Sequence, residues 1–276
     1  MALERDRLLK RVTKLRKLIH KLESNPAPEK VHDLRTTTRQ FEAMFQALSL
    51  DEHGARKSIL KDLAHIRNRA GKVRDMDVLM GFASKIHPPG EEKCSLELLE
   101  YIGAKRMKQA KKLHSEVSKR SPALRRDLKR TISVLAKLLP KRKSASNGSA
   151  TAADATATAV KLASGLATPE RLTRETLHPY RLKVKELRNV LRMADRASST
   201  KFVEDLGKVQ DAIGEWHDWD ELVSIAEKLE HGKECRLRIE LQHNARRKYK
   251  HALALSQKLR KIPRPSVWKA TTLLAG

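Results

Sequence analysis

Val31-His32-Asp33-Leu34-Arg35-Thr36-Thr37-Thr38-Arg39 returns 146 residues later as Leu177-His178-Pro179-Tyr180-Arg181-Leu182-Lys183-Val184-Lys185, so that His-x-x-Arg-x-x-x-(Arg/Lys) occurs twice. At about 100° per residue, Leu34, Thr38, Phe41, Phe45 and Leu48 fall within roughly 80° of one another and form a core stripe. His32, Arg35 and Arg39 lie about 100 to 160° away around the axis. The second copy repeats this, with Leu177, Tyr180, Val184, Leu187 and Leu191 on the core side and His178, Arg181, Lys185 and Arg188 on the other. A lone cationic stripe reads as a solvated helix face. Its recurrence in register, led each time by a histidine, points to two copies of one device that holds an extended anion.

Composition agrees with that direction. The 276 residues carry 59 Lys and Arg against 33 Asp and Glu, a formal net charge of +26 and a pI near 10.3. An excess of this size repels itself unless an anionic partner neutralises it. The candidates are nucleic acid, an acidic membrane surface and polyphosphates. With 39% hydrophobic residues the chain has enough apolar content for real cores, and it is not of the disordered class. Two cysteines, Cys94 and Cys235, exclude a disulfide-built scaffold. Because they stand at matching places in the two copies, the expectation is a shared packing position, not a bridge. Reduced thiols and a cytoplasmic location then follow. The N-terminal Met-Ala-Leu-Glu-Arg-Asp-Arg has no apolar signal core and no run is long enough to span a bilayer, so neither export nor membrane insertion is expected.

Helical periodicity dominates the chain and strand-like alternation is almost missing, which gives an all-α fold class. Helices are expected at 3–23, 29–50, 54–86, 92–120, 122–139, 168–196, 199–230 and 234–261. Pro26 and Pro28, Pro88-Pro89-Gly90 and Pro122 are read as breaks or starts, as is Thr168-Pro169-Glu170. Ala-, Ser- and Thr-rich sequence from Ser144 to Thr158 marks a flexible insertion over about 141–158. Counting helices suggests four plus four, each set a bundle with short loops. The preferred split has the first repeat running to about residue 121 and the second from about 122 to 262, although a split near 145 to 165 fits the composition shift better; a 263–276 tail containing Trp268 follows.

Two more elements are matched in order. Gly71-x-x-Arg74-Asp75-x-Asp77 corresponds to Gly214-x-x-His217-Asp218-x-Asp220. Cys94-x-Leu96-x-Leu98 with Ala104-Lys105-Arg106 corresponds to Cys235-x-Leu237-x-Ile239 with Ala245-Arg246-Arg247. An ordered, threefold correspondence is the mark of an internal duplication.

On these residues the chain resembles the CHAD family, the conserved histidine α-helical domain: a His-x-x-Arg helix, an Arg-Asp-x-Asp helix and a basic third helix, each present twice. The resemblance covers about residues 3–262. It implies a single CHAD domain over 1–262, built of two four-helix bundles related by a pseudo-twofold axis, with facing basic surfaces that bind long-chain inorganic polyphosphate. It also implies that nothing is catalysed and that no cofactor is needed. The family usually carries more basic residues near Gln40 and Glu42, where this chain is neutral or acidic. Repeat two keeps Arg188 at the place of Glu42, and His217 stands where repeat one has Arg74, so unequal grip and a pH-dependent contact are expected.

Polyphosphate presents oxygens along its whole length, so a binder needs donors at repeated intervals. Arginine offers a two-pronged fork and lysine a mobile point charge. The expected contacts are His32, Arg35, Arg39, His178, Arg181, Lys185 and Arg188, with Arg74, Arg106 and Arg247 closing the groove. Lys105, Lys108, Arg246 and Lys250 form a second rank. Asp75, Asp77, Asp218 and Asp220 would repel the ligand and are read as orienting arginines or backbone. The pairs His32-Asp33 and His217-Asp218 are similar to the His-Asp pair of metal-dependent phosphohydrolases, but Arg74 at the place of His217 cannot ligate, so no metal site is expected. Trp216 and Trp219 are assigned to packing. The chain lacks the Glu-x-Glu-x-Lys strand of the CYTH triphosphatases often joined to CHAD domains, which leaves any such enzyme, or a granule partner, on a separate chain. Association with polyphosphate granules is a further expectation. The competing reading is a helical nucleic-acid binder using nonspecific phosphate contacts. Low aromatic content (4%) and the lack of a recognisable binding motif weigh against it, although weak nonspecific nucleic-acid binding is expected from charge alone.

Overall fold

The computed structural model describes residues 2–47, 54–138, 160–193, 200–229 and 235–262. Leu48, the insertion at about 141–158 and the tail with Trp268 lie outside the described residues, as does the side chain of Phe45. Every regular element among the described residues is helical: α1 (Ala2–His20), α2 (Pro28–Ala47), α3 (Gly54–Ala83), α4 (Glu92–Leu138), a 3-10 turn (Gly165–Ala167), α5 (Arg174–Met193), α6 (Thr200–Ala226) and α7 (Arg236–Lys261). The chain divides into two compact units, one of residues 1–85 with 96–144 and one of residues 86–95 with 145–276.

The first unit is built on the stripes that helical spacing creates. Val12, Leu15 and Ile19 of α1 meet Val31, Leu34 and Phe41 of α2, and Leu63, Ile66, Ala70 and Val73 of α3 complete the cluster together with α4. Each fully buried Leu or Ile contributes about 1.5–3 kcal/mol through removal of apolar surface from water. Thr38 is fully buried in this core because its hydroxyl donates to Leu34 O at 2.7 Å.

The helix expected at 122–139 is not separate. α4 runs through Pro122. Its apolar positions Leu113, Val117, Leu124 and Leu128 are spaced by four, seven and four residues, stay within one face across the proline and all belong to the first unit's core. Pro122 and Ser118, whose carbonyl loses its helical donor to the proline, are both exposed, so water is at hand for that group. Along the chain the two units change over at 85/86, 95/96 and 144/145, the last of these where the composition shifts.

In the second unit all five expected core residues of α5, Leu177, Tyr180, Val184, Leu187 and Leu191, are buried with Leu206, Val209, Ile213 and Trp216 of α6 and Ala252 and Leu259 of α7. α5 starts at Arg174, six residues after Thr168. Thr173 precedes it, and the Thr176 hydroxyl reaches back to accept the Thr173 N–H at 2.7 Å, as the third residue of a capping box does. The segment before it is strapped down: Lys183 Nζ donates to Gly165 O and Thr168 O at 3.1 Å, and Arg260 donates to Pro169 O at 2.6 Å and Glu170 O at 3.0 Å.

The expectation of free thiols is also overturned. Cys94 and Cys235 form a disulfide, both within the second unit, with their Cα atoms 6.6 Å apart. Equivalent places in two sequence copies say nothing about distance in space, and a pairing across 141 residues leaves no local signature. It also removes the thiol argument for a reducing compartment. No described helix is long and apolar enough to cross a membrane.

Candidate functional site

Arg181 and Arg188 of α5 are not splayed into water. They lie along α6, and glycines make the space. A β-carbon on Gly214 would stand 2.8 Å from Arg181 Nη2, and one on Gly207 would stand 2.8 Å from Arg188 Nη2. Arg181 and Arg188 are seven residues apart on α5, as are Gly207 and Gly214 on α6, so the two helices pack antiparallel in a fixed register. Arg181 Nε donates to Gln210 O at 3.1 Å, and Arg188 Nη1 reaches Gln210 Oε1 at 3.4 Å. Such anchoring removes rotamer freedom before any ligand arrives, and a binder gains from that preorganisation.

One turn further along the same register, the His178 and His217 rings lie 5.6 Å apart. Their surroundings push them in opposite directions. Asp218, with Oδ1 3.9 Å from His217 Nδ1, is the main cause that raises the His217 pKa. Desolvation, then the charges of His217 and Arg181, lower that of His178. The pair therefore accepts its first proton at His217, and the second becomes favourable when an anion offsets the charge.

The first unit makes the same central contact. Arg35 lies on Gly71, where a β-carbon would come within 2.7 Å of Nη1. In the register this sets between α2 and α3, Arg74 stands level with His32, whose Nε2 is 3.4 Å from the Thr36 hydroxyl. One heptad along, the polarity is reversed. Glu42 of α2 accepts from Arg67 of α3 at 2.6 Å, whereas the corresponding places in the second unit hold Arg188 on α5 and Gln210 on α6. Glu42 is buried, and burial raises its pKa although Arg67 and Arg39 both act to lower it.

A family model for the CHAD domain matches residues 6–227. The chain belongs to the CHAD family. Two solved structures share the fold: the CHAD domain of the plant Ricinus communis, at 15% identity with 96% of this chain and 91% of that chain covered (TM-score 0.60), and PptA from Streptomyces chartreusis, at 14% identity with 92% and 96% covered (TM-score 0.60). Among curated proteins no match is found.

In this CHAD chain the third-helix cations divide. Arg106 has a protein acceptor for each nitrogen: Nε donates to Asp77 Oδ1, Nη1 to Asn25 Oδ1 and Nη2 to Pro26 O, all at 2.6 Å. Asp77 is only 3% and Arg106 12% exposed by side chain, so this pair pins α3 and the α1–α2 loop to α4. Charge pattern alone cannot tell such a pinned arginine from a ligand-facing one. Arg247 is exposed and donates to Asn244 one turn away at 2.9 Å. Lys108, Arg246 and Lys250 are exposed, and Lys105 sits over the Tyr101 ring at 4.5 Å. Three of the four aspartates face cations: besides Asp77, Asp218 faces His217 and Asp220 pairs with Arg174. Arg174, one turn before His178, escaped the sequence reading because its place in the first copy is Pro28, so the repeat gave no hint of it. Trp216 and Trp219 are 4% and 6% exposed, and Trp216 packs against Tyr249 with ring centroids 5.4 Å apart, which fits their assignment to packing.

Proposed function

We propose that the protein binds long-chain inorganic polyphosphate without catalysis, through the His32, Arg35, Arg39 row of α2 and the His178, Arg181, Lys185, Arg188 row of α5. In this reading the two rows descend from one duplicated helical unit, and Arg74 and Arg247 extend them. Arg106 serves the scaffold. The observation that carries the proposal is the recurrence of one contact, an arginine of a His-x-x-Arg row laid on a glycine of the next helix, at Arg35–Gly71 and Arg181–Gly214. Glycines placed where they cost helix stability, so that guanidinium groups can lie against the helix, are a device for holding a ligand. The row from His178 to Arg188 extends about 15 Å at 1.5 Å per residue and so meets several consecutive phosphates. Membership of the CHAD family supports the same ligand.

Titration with polyphosphates of increasing length at several salt concentrations tests the reading. Affinity should rise with chain length and fall steeply with salt as counterions are released. Alanine at Arg35, Arg39, Arg181 and Lys185 together should abolish binding while the helical circular dichroism persists. Equal binding of short and long chains, or displacement of long polyphosphate by duplex DNA at equal charge concentration, would overturn it.

A further inference from the structure

The disulfide lies in a chemically richer setting than a simple staple needs. Pro88-Pro89-Gly90-Glu91 forms a tight turn in which Gly90 takes φ +80° and Glu91 N–H donates to Pro88 O at 3.1 Å. This turn delivers Glu91 to the start of α4, where its carbonyl accepts from Ser95 N–H at 3.0 Å, and Cys94 falls in the first turn. Cys235 is the N-cap residue of α7, and its side chain caps no backbone group. The Glu91 carboxylate is held toward it, since Oε1 accepts the Arg236 N–H at 2.9 Å. As a result a carboxylate oxygen of Glu91 and the sulfurs of Cys94 and Cys235 all lie within 4.8 Å of one another. The two cysteines are 8% and 6% exposed, and none of the three residues belongs to the cation rows.

We propose that Glu91, Cys94 and Cys235 form a redox-gated site for one thiophilic divalent cation of the Zn²⁺ type. In the disulfide form two of the three ligands are spent on each other. A dithiol reductant delivers two electrons and two protons, the S–S bond breaks, two thiols form, and the reductant leaves as its own disulfide. Cation binding then expels both thiol protons to solvent. Each sulfur sits at the N-terminal end of a helix, whose positive dipole end favours the thiolate. Tetrahedral coordination at about 2.3 Å to sulfur and 2.0–2.2 Å to oxygen sets ligand atoms roughly 3.5–3.8 Å apart, and the three ligand atoms already lie within 4.8 Å of one another. Two sulfurs select against Mg²⁺ and Ca²⁺, and the half-buried Glu91 side leaves a fourth position for water. A disulfide oxidant takes two electrons from the two thiolates and leaves as its own dithiol after picking up two solvent protons; the S–S bond reforms and the cation is released.

The test uses the full chain without polyphosphate. Thiols are counted by alkylation before and after reduction, and the reduced chain, freed of reductant under anaerobic conditions, is titrated with Co²⁺ and then with Zn²⁺. Expected are no alkylatable thiols in the oxidised chain and two after reduction. The reduced chain should then show a thiolate-to-Co²⁺ charge-transfer band saturating at one ion per chain and erased by Zn²⁺. Cys235→Ser should lose the band, and Glu91→Gln should weaken Co²⁺ binding by about tenfold or more. A folded, reduced wild type with no band overturns the site, as does a reduced chain that loses its helical circular dichroism. A band shown equally by the oxidised chain, or two free thiols in that chain, overturns the gating. Unchanged affinity in Glu91→Gln overturns the carboxylate's part. The wild-type comparison decides the main point even where a variant fails to fold.

Discussion

The guanidinium of Arg181 rests on Gly214 so closely that one added carbon there would stand 2.8 Å from Nη2. A Gly→Ala change inside a helix ordinarily stabilises by about 0.5–1 kcal/mol. Here the methyl group must displace a flexible side-chain end, which costs little in folding but moves the cation. Gly71→Ala/Gly214→Ala is therefore expected to unfold in urea within about 1 kcal/mol of wild type while polyphosphate affinity falls about tenfold. Gly81, also on a helix but with nothing within 4 Å, is the control. Gly81→Ala should gain stability and keep full binding, and unchanged affinity in the double variant would sink the idea that the glycines serve the arginines.

The histidine pair makes binding more sensitive to pH than folding. His217 has its pKa raised in the folded state, so its stabilising contribution is complete below the ordinary value of 6.5 and is lost as pH rises through its folded pKa. His178 is lowered, so its contribution is present above 6.5 and lost as pH falls through its own folded pKa. These effects oppose one another, and stability should change little between pH 6 and 7, a window set by the ordinary histidine pKa of about 6.5. Binding has no such cancellation, because a polyanion favours the protonated form of both rings. Affinity should climb as pH drops through this range, with these two rings contributing at most about two log units per pH unit. His178→Ala/His217→Ala should flatten that climb. Histidine titration by NMR offers a second check: His217→Ala should raise the His178 pKa, since one of the charges that lower it is gone.

Much of this was legible in residue spacing. The core stripe of α5 came through whole because five apolar positions at helical intervals leave only one face to bury. The His-x-x-Arg rows were legible because they repeat, and Gly71 and Gly214 were picked out with them, although only the structure gives the glycines their purpose. Local signals misled where tertiary packing outweighed them. Pro122 looks like a helix start, yet Leu124 and Leu128 continue the stripe of Leu113 and Val117, and that shared core holds α4 intact across it. The pairing of Cys94 with Cys235 and the pinning of Arg106 by Asp77 join residues distant in sequence, and neither carries a periodic signature.

Glu42 offers a case where burial and pairing compete. Its carboxylate bonds Arg67 at 2.6 Å, yet burial outweighs that attraction and raises its pKa. A carboxyl group raised in the folded state favours folding in its protonated form. Its contribution is complete below 4.5 and is lost as pH rises through the folded pKa. Glu42→Gln keeps an oxygen for Arg67 without the buried charge. Urea midpoints at neutral pH should equal or exceed wild type, with the gap closing toward pH 4.5. Polyphosphate binding should strengthen, because Arg39 no longer shares its field with an anion. A loss above about 3 kcal/mol at pH 7 would mean that the ion pair is fully compensated and the reading is wrong.

Arg106 and Arg247 stand at corresponding places but should behave as different kinds of residue. Removing Arg106 strands the Asp77 carboxylate, whose Oδ2 is already buried without a hydrogen bond. Loss of one partner from a buried pair costs about 3 kcal/mol or more. Arg106→Ala should show that loss in denaturant unfolding, with polyphosphate affinity per folded molecule unchanged. Arg247→Ala removes an exposed side chain that, among the described residues, bonds Asn244 within its own helix turn, so stability should move by less than about 0.5 kcal/mol while affinity drops. If the Arg106 effect is the stranded charge, replacing the pair by apolar groups of similar volume, Arg106→Met with Asp77→Leu, should recover most of the lost stability. Failure to recover would locate the cost instead in the bonds from Arg106 to Asn25 and Pro26, which hold the loop that leads into α2 and its cation row.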